Sequence, residues 1–138
     1  MKIKTENIFQ VIEVSISPSD VYNIFMDEAK HTNFTGKKAC IEEFEGGAFS
    51  FCNGNHKGHF LKLVKNKMIV LAWTHRKFPR NHFSIVHLNL EKVEGGTRLS
   101  MNHIGVPESC DGWLTEAWQT TYWNPLNEYI LEEELLEV

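Results

Sequence analysis

His75 and His103 are the residues of this chain whose chemistry is most open to use. Each shares the parity of the large apolar residues in its stretch: Ile69, Leu71 and Trp73 for the first, Leu99 and Met101 for the second. An inward imidazole titrates near neutrality and works as an acid or base when a carboxylate orients it. Glu42, Glu43 and Glu45 fall near turns, and nothing in the spacing puts any of them beside either ring. No serine occupies a nucleophile-elbow sequence, no thiol has an activating neighbour, and no glycine-rich loop leads into a helix that would hold phosphate. The chain therefore offers no catalytic residue, and the reading leans against an enzyme. A small cyclase or dehydratase using His75 or His103 is the remaining catalytic alternative.

Cys52, His56 and His59 carry the ligand atoms that zinc prefers. Their spacing matches no standard finger, and Asn53-Gly54-Asn55 between them is a turn signal, so they read as a hairpin that carries two histidines. No metal and no cofactor is assigned. Cys40, Cys52 and Cys110 are odd in number and lack a framework spacing, which suits reduced thiols. His31 and His56, with Lys37, Lys38 and Lys57, are assigned to the solvated surface.

The aromatic residues suggest a different use. Trp73, His75, Ser84, Val86, Met101 and His103 from strands, with Trp118, Tyr122 and Tyr129 from a helix, would together line a cavity. Such a lining offers large apolar contact and a few polar handles that orient a ligand. The competing reading has the same residues filling a core.

A long amphipathic helix must position the second group. From Gly112 to Leu131, the residues Leu114, Trp118, Tyr122, Pro125 and Tyr129 recur on one face of a 3.6-residue period, Leu126 widens it, and Trp123 and Ile130 form a second apolar edge. That edge, if exposed, would mark a dimer or chaperone contact. Asp111 is placed to cap the start. Pro125 removes a backbone donor inside the pattern, which predicts a kink near residues 121–124, or a break into two helices. Glu132, Glu133, Glu134 and Glu137 put negative charge where the helix dipole disfavours it, so the last turn should fray. Ahead of the helix, Ile8 to Ile16 reads as a strand. Ser17-Pro18-Ser19-Asp20 opens a short helix with Val21, Tyr22, Ile24 and Phe25 inward, and Asp27 to Phe34 reads as a second. From Lys38 to Gly105, turn signals punctuate short alternating runs, the pattern of an antiparallel meander. One apolar sheet face closed by a C-terminal helix is an α+β architecture of about six or seven strands, spanning residues 1–138 as a single domain.

The 138 residues carry a net charge of −4, with Lys and Arg scattered rather than gathered in a stripe, which argues against nucleic acid. No run of about eighteen apolar residues is present to span a bilayer, and the N-terminal residues lead into a strand rather than an apolar signal core. The expectation is a cytoplasmic protein, monomer or homodimer, whose partner is a small hydrophobic molecule, lipid-like or aromatic.

Several motifs in order carry a family likeness: Ser15-Ile16-Ser17-Pro18-Ser19-Asp20-Val21-Tyr22, Phe44-Glu45-Gly46-Gly47-Ala48-Phe49, Ala72-Trp73, Glu94-Gly95-Gly96-Thr97-Arg98-Leu99, His103-Ile104-Gly105-Val106-Pro107, Gly112-Trp113 and Tyr122-Trp123-Asn124-Pro125-Leu126. In these the chain resembles the activator of Hsp90 ATPase homologue family, within the START-like, Bet v 1-like helix-grip superfamily. The resemblance implies a curved sheet gripping a long C-terminal helix. It also implies one of two functions, a ligand cavity beneath that helix or a co-chaperone-like module that binds an Hsp90-type chaperone.

Overall fold

The computed structural model describes residues 2–136. Seven strands form one antiparallel sheet in the order β1-β7-β6-β5-β4-β3-β2, where β1 is Thr5–Val14, β2 Cys40–Ile41, β3 Ala48–Phe51, β4 His56–Val64, β5 Met68–His75, β6 Ser84–Val93 and β7 Gly96–Pro107. From β2 to β7 each strand pairs with the next in sequence, and β1 closes the far edge against β7. Alternation decides which face is buried. Ile69, Leu71 and Trp73 point inward from β5, Val86, Leu88 and Leu90 from β6, and Leu99, Met101 and His103 from β7. Gly58 lets β4 and β5 approach closely, since a Cβ there would lie 1.7 Å from the Ala72 carbonyl oxygen.

Two short helices follow β1. Helix α1, Pro18–Met26, starts at Ser17, whose hydroxyl accepts the Asp20 amide at 3.2 Å. Helix α2, Glu28–Thr35, starts at Asp27, which caps the Lys30 amide at 2.9 Å, and ends on Gly36 in the left-handed region. Between them they bury Val21, Tyr22, Phe25, Met26, His31 and Phe34, and the rings of Phe25, His31 and Phe34 pack against Tyr122 of the long helix.

That helix is continuous from Asp111 to Leu136, in three parts: α3 (Asp111–Ala117), a π-helical segment (Trp118–Trp123) and α4 (Asn124–Leu136). It does not break into two helices at Pro125. The expected kink is instead a widened turn, in which the Asn124 amide bonds the Gln119 carbonyl, five residues back. Proline has no amide hydrogen to donate and crowds the carbonyl four residues earlier, so the turn before it relaxes outward. The widening also corrects the expected inner face. Each step of four residues on an α-helix advances about 40° beyond a full turn, so an every-fourth-residue stripe drifts off its face. The π segment takes up this drift, and the stripe that is buried runs Leu114, Trp118, Tyr122, Leu126 and Ile130, with Trp123 beside Tyr122. Pro125 and Tyr129 are only half-buried as a result. Trp123 and Ile130, read as a second apolar edge that would mark a contact if exposed, are in the core at 1% and 4% exposure.

Asp111 is the first helical residue rather than a cap. The position before it is Cys110, which makes no side-chain capping bond and ends a short 3₁₀ turn, Glu108–Cys110. At the other end Glu132, Glu133 and Glu134 are helical and exposed. Glu137, grouped with them from the sequence, lies outside the described residues.

Candidate functional site

The inner side of the sheet and the helix meet around a chain of polar groups buried among rings. The Trp118 indole donates from Nε1 to His103 Nδ1 at 3.0 Å. An indole N–H only donates, so Nδ1 must accept and the ring proton sits on Nε2. His103 Nε2 lies 2.6 Å from Ser84 Oγ, to which it then donates, and the Ser84 hydroxyl passes its own hydrogen to the Trp73 carbonyl at 3.2 Å. Every donor and acceptor of His103 is used. The ring is fully buried and edge-on to Trp73 at 4.8 Å. Burial holds its pKa down at about 3, so it stays neutral at physiological pH.

A second cluster forms where β4 meets the π segment. Tyr122 Oη lies 3.2 Å from His56 Nδ1 and 3.8 Å from Cys52 Sγ. Cys52 (φ 53°) and Asn53 (φ 59°) both sit in the left-handed region. The Asn53 side-chain oxygen holds that turn by accepting the Lys38 amide at 2.8 Å, which keeps the thiol facing inward. Burial raises the Tyr122 phenol well above its ordinary range and raises the Cys52 thiol, while it lowers His56 to about 3, helped by the neighbouring His75. The three groups are therefore neutral together at physiological pH.

His31 forms the third site. Its Nδ1 donates to the Phe25 carbonyl at 2.9 Å, the ring stacks on Phe51 at 4.2 Å, and Nε2 has no partner. Its pKa falls to about 4, again through burial. The assignment of His31 and His56 to solvent is thus overturned, with exposures of 0% and 7%. Signals for both were present in the sequence. His56 shares strand parity with Phe60, and His31 is one helical turn before Phe34.

The nine residues proposed to line a cavity are distributed as follows. Trp73, Val86, Trp118 and Tyr122 border an apolar hollow completed by Phe25, Met26, Phe51, Phe60, Ile69, Leu71 and Leu88. Ser84, Met101 and His103 are buried beside it. His75 is half-buried at the rim, with Nδ1 accepting the Lys77 amide at 3.0 Å and its ring 4.9 Å from Trp113. Tyr129 lies at the opposite end, beside α1 and α2. The hollow measures about 20 Å³, roughly the space of a single water. Ligand pockets generally offer roughly 300–1,000 Å³. Gln10, missed in the sequence, joins sheet to helix across the π segment. Its amide donates to the Thr115 carbonyl at 3.0 Å and its oxygen accepts the Trp123 indole at 2.6 Å. Its parity with Ile8, Ile12 and Val14 is the signal that would have found it.

Among the described residues, no carboxylate hydrogen-bonds to His31, His56, His75 or His103, and no group of three or more metal-ligating side chains is assembled. His59 faces away from Cys52 and His56 and is exposed. Among the described residues no helix is long and apolar enough to cross a membrane.

Comparison with known proteins gives a consistent result. Residues 15–130 match the family model described as Activator of Hsp90 ATPase homolog 1-like protein. The human Activator of 90 kDa heat shock protein ATPase homolog 1 is 30% identical over 112 residues, 81% of this chain and 33% of the human protein. The chain thus spans about a third of the length of the curated relatives it matches. An Hsp90 activator from Plasmodium falciparum superposes with a TM-score of 0.81 at 25% identity, covering 91% of this chain and 96% of that one. The Aha1 dimer from Colwellia psychrerythraea shares the fold, with a TM-score of 0.77 at 18% identity, covering 91% of this chain and 96% of that one.

Proposed function

The chain belongs to the Activator of Hsp90 ATPase homolog 1-like family, and from that premise we propose that it is a protein-interaction module that engages a chaperone of the Hsp90 class. The observation that carries this reading is the filled core. The aromatic side chains of the sheet and helix pack onto one another, as in the Trp73–Trp118 and Trp118–Trp123 stacks at 6.1 and 5.4 Å, and leave a hollow of about 20 Å³. A lipid-like or aromatic molecule needs a space more than ten times larger. The polar handles that would orient it, His103, Ser84 and the Trp118 indole, are already bonded to one another.

The outward face of the sheet supports the same reading. Phe9, Val11, Ile85 and Ile104 are exposed there, at 66%, 45%, 41% and 40%. They lie on adjacent strands, where Phe9 pairs with Asn102 and Ile85 with Ile104, so they form a patch rather than scattered residues. The test is a titration of the purified chain into an Hsp90-class chaperone, reading binding by calorimetry and the chaperone's ATPase rate in parallel. Saturable binding with a changed ATPase rate is expected. Absence of both would dismiss the reading.

A second reading keeps a small hydrophobic ligand in the same place. It is favoured by the wholly apolar lining of the hollow and by the π segment above it, because a widened turn is an easier place for a helix to open than a regular one.

A further inference from the structure

Away from the filled core, a groove of about 490 Å³ runs between the end of β1, helix α1 and the last turns of α4. Its floor is apolar: Ile16, Ile24, Tyr129 and Ile130. Its rim carries Asp20, Glu133 and Glu134 against the single cation Lys30. Ser15 Oγ donates to Glu134 at 2.5 Å and fixes one wall. Leu131, Leu135 and Leu136 of α4 are also exposed, at 58%, 73% and 80%, but do not line the groove.

This end of the molecule is electrostatically frustrated as it stands. The last turn of α4 contains no basic residue, so its acidic side chains add to the negative end of the helix dipole. Among the described residues the ion pairs are both made by Arg98, with Glu13 and Glu91, on the outward face of the sheet. No cation among the described residues therefore lies within ion-pairing distance of Asp20, Glu133 or Glu134. The Tyr129 hydroxyl shows the same field: burial raises its pKa first, then Glu133 and Asp27. Natural chains tolerate such local conflicts where function gains from them.

We infer that this groove docks a partner segment in which a lysine or arginine is flanked by apolar side chains. Both halves of the requirement come from the groove. The apolar floor would gain nothing from a purely ionic ligand, and the acidic rim repels anionic lipid and nucleic acid. The identity of the partner as a chaperone rests on the interaction reading above, while the chemistry of the groove stands on its own.

The test is an NMR titration of the ¹⁵N-labelled full chain with a synthetic peptide of sequence acetyl-LKKLLKKL-amide, and with its serine analogue acetyl-SKKSSKKS-amide. Shifts confined to residues 15–24, Lys30 and residues 129–136 are expected. Affinity should fall about tenfold in Glu133→Gln/Glu134→Gln and for the serine analogue, and remain unchanged in the control Glu43→Gln/Glu94→Gln. Shifts elsewhere, or equal affinity in both double variants, would overturn the inference. Calorimetry against the chaperone then separates the two claims. If the chaperone binds wild type and the Glu133/Glu134 variant equally, the groove is refuted and the module stands. If it does not bind while the peptide still docks in the groove, the chaperone assignment fails and the groove stands.

Discussion

Three histidines buried in the neutral form should make this protein acid-labile, and the size of the effect follows from their surroundings. His31, His56 and His103 hold pKa values of about 4, 3 and 3 in the folded chain because burial penalises the imidazolium. In the unfolded chain each returns to about 6.5. Above pH 6.5 neither state binds these protons, and the histidines cost nothing. Below it the unfolded chain takes them up and the folded chain does not, so stability falls with pH until the folded values are reached. At pH 5.0 each histidine lies about 1.5 units below its unfolded value, a loss of about 2 kcal/mol apiece and about 6 kcal/mol for three. Small domains have roughly 5–15 kcal/mol in total. Urea unfolding at pH 7.5 and pH 5.0, followed by the fluorescence of the buried Trp73, Trp118 and Trp123, should show most of the stability gone at the lower pH. His31→Phe, which keeps the stacking on Phe51, should remove about a third of the pH dependence. Stabilities within about 1 kcal/mol of each other at the two pH values would refute the claim that these rings are buried and neutral.

Further predictions follow from the hydrogen-bonded chain and the helix. Ser84→Ala removes the acceptor for His103 Nε2 and the donor to the Trp73 carbonyl, and should cost about 1–3 kcal/mol in urea unfolding. Trp118→Phe leaves His103 Nδ1 without a donor and should cost at least as much. Pro125→Ala removes a residue worth about 3 kcal/mol against a helix, yet should raise the melting temperature little. The segment that would tighten is the one that brings Tyr122 and Trp123 into the core together, and a large rise would show that the π turn does not set the phase. Gly58→Ala should unfold the β4–β5 pairing, since its Cβ would meet backbone at 1.7 Å; a soluble variant with an unchanged far-ultraviolet spectrum and melting point would contradict this.

The sheet was legible in the sequence because its signals are local. Alternation in Ser84, Val86, Leu88 and Leu90 and in Leu99, Met101 and His103 gave the inward face correctly, and the turn signals separated the strands. The long helix was legible in extent but not in phase. A regular 3.6-residue period puts Pro125 and Tyr129 on the inner face with Leu126, and only the π turn, a response to Pro125 in tertiary context, keeps Leu126 there while bringing Ile130 and Trp123 inward in place of the other two. Polar residues were the hardest to place. Hydrophobic patterning scores a polar side chain as exposed and so misplaces His31, His56 and the half-buried Gln10. Their positions depend on partners distant in sequence, such as Tyr122 for His56 and Trp123 for Gln10. The distribution of the aromatic residues suggested a container, whereas the volume between them depends on how the rings stack, and no periodicity reports that.

The space beneath the helix is already filled by the protein's own side chains, apart from a hollow of about 20 Å³. Native mass spectrometry of the chain, purified without refolding from the organism that encodes it, tests this most directly when compared with the denatured mass of the same sample. The two masses should agree. A discrete excess of a few hundred daltons in the native spectrum, lost on denaturation, would contradict it and return the cavity to a small hydrophobic ligand.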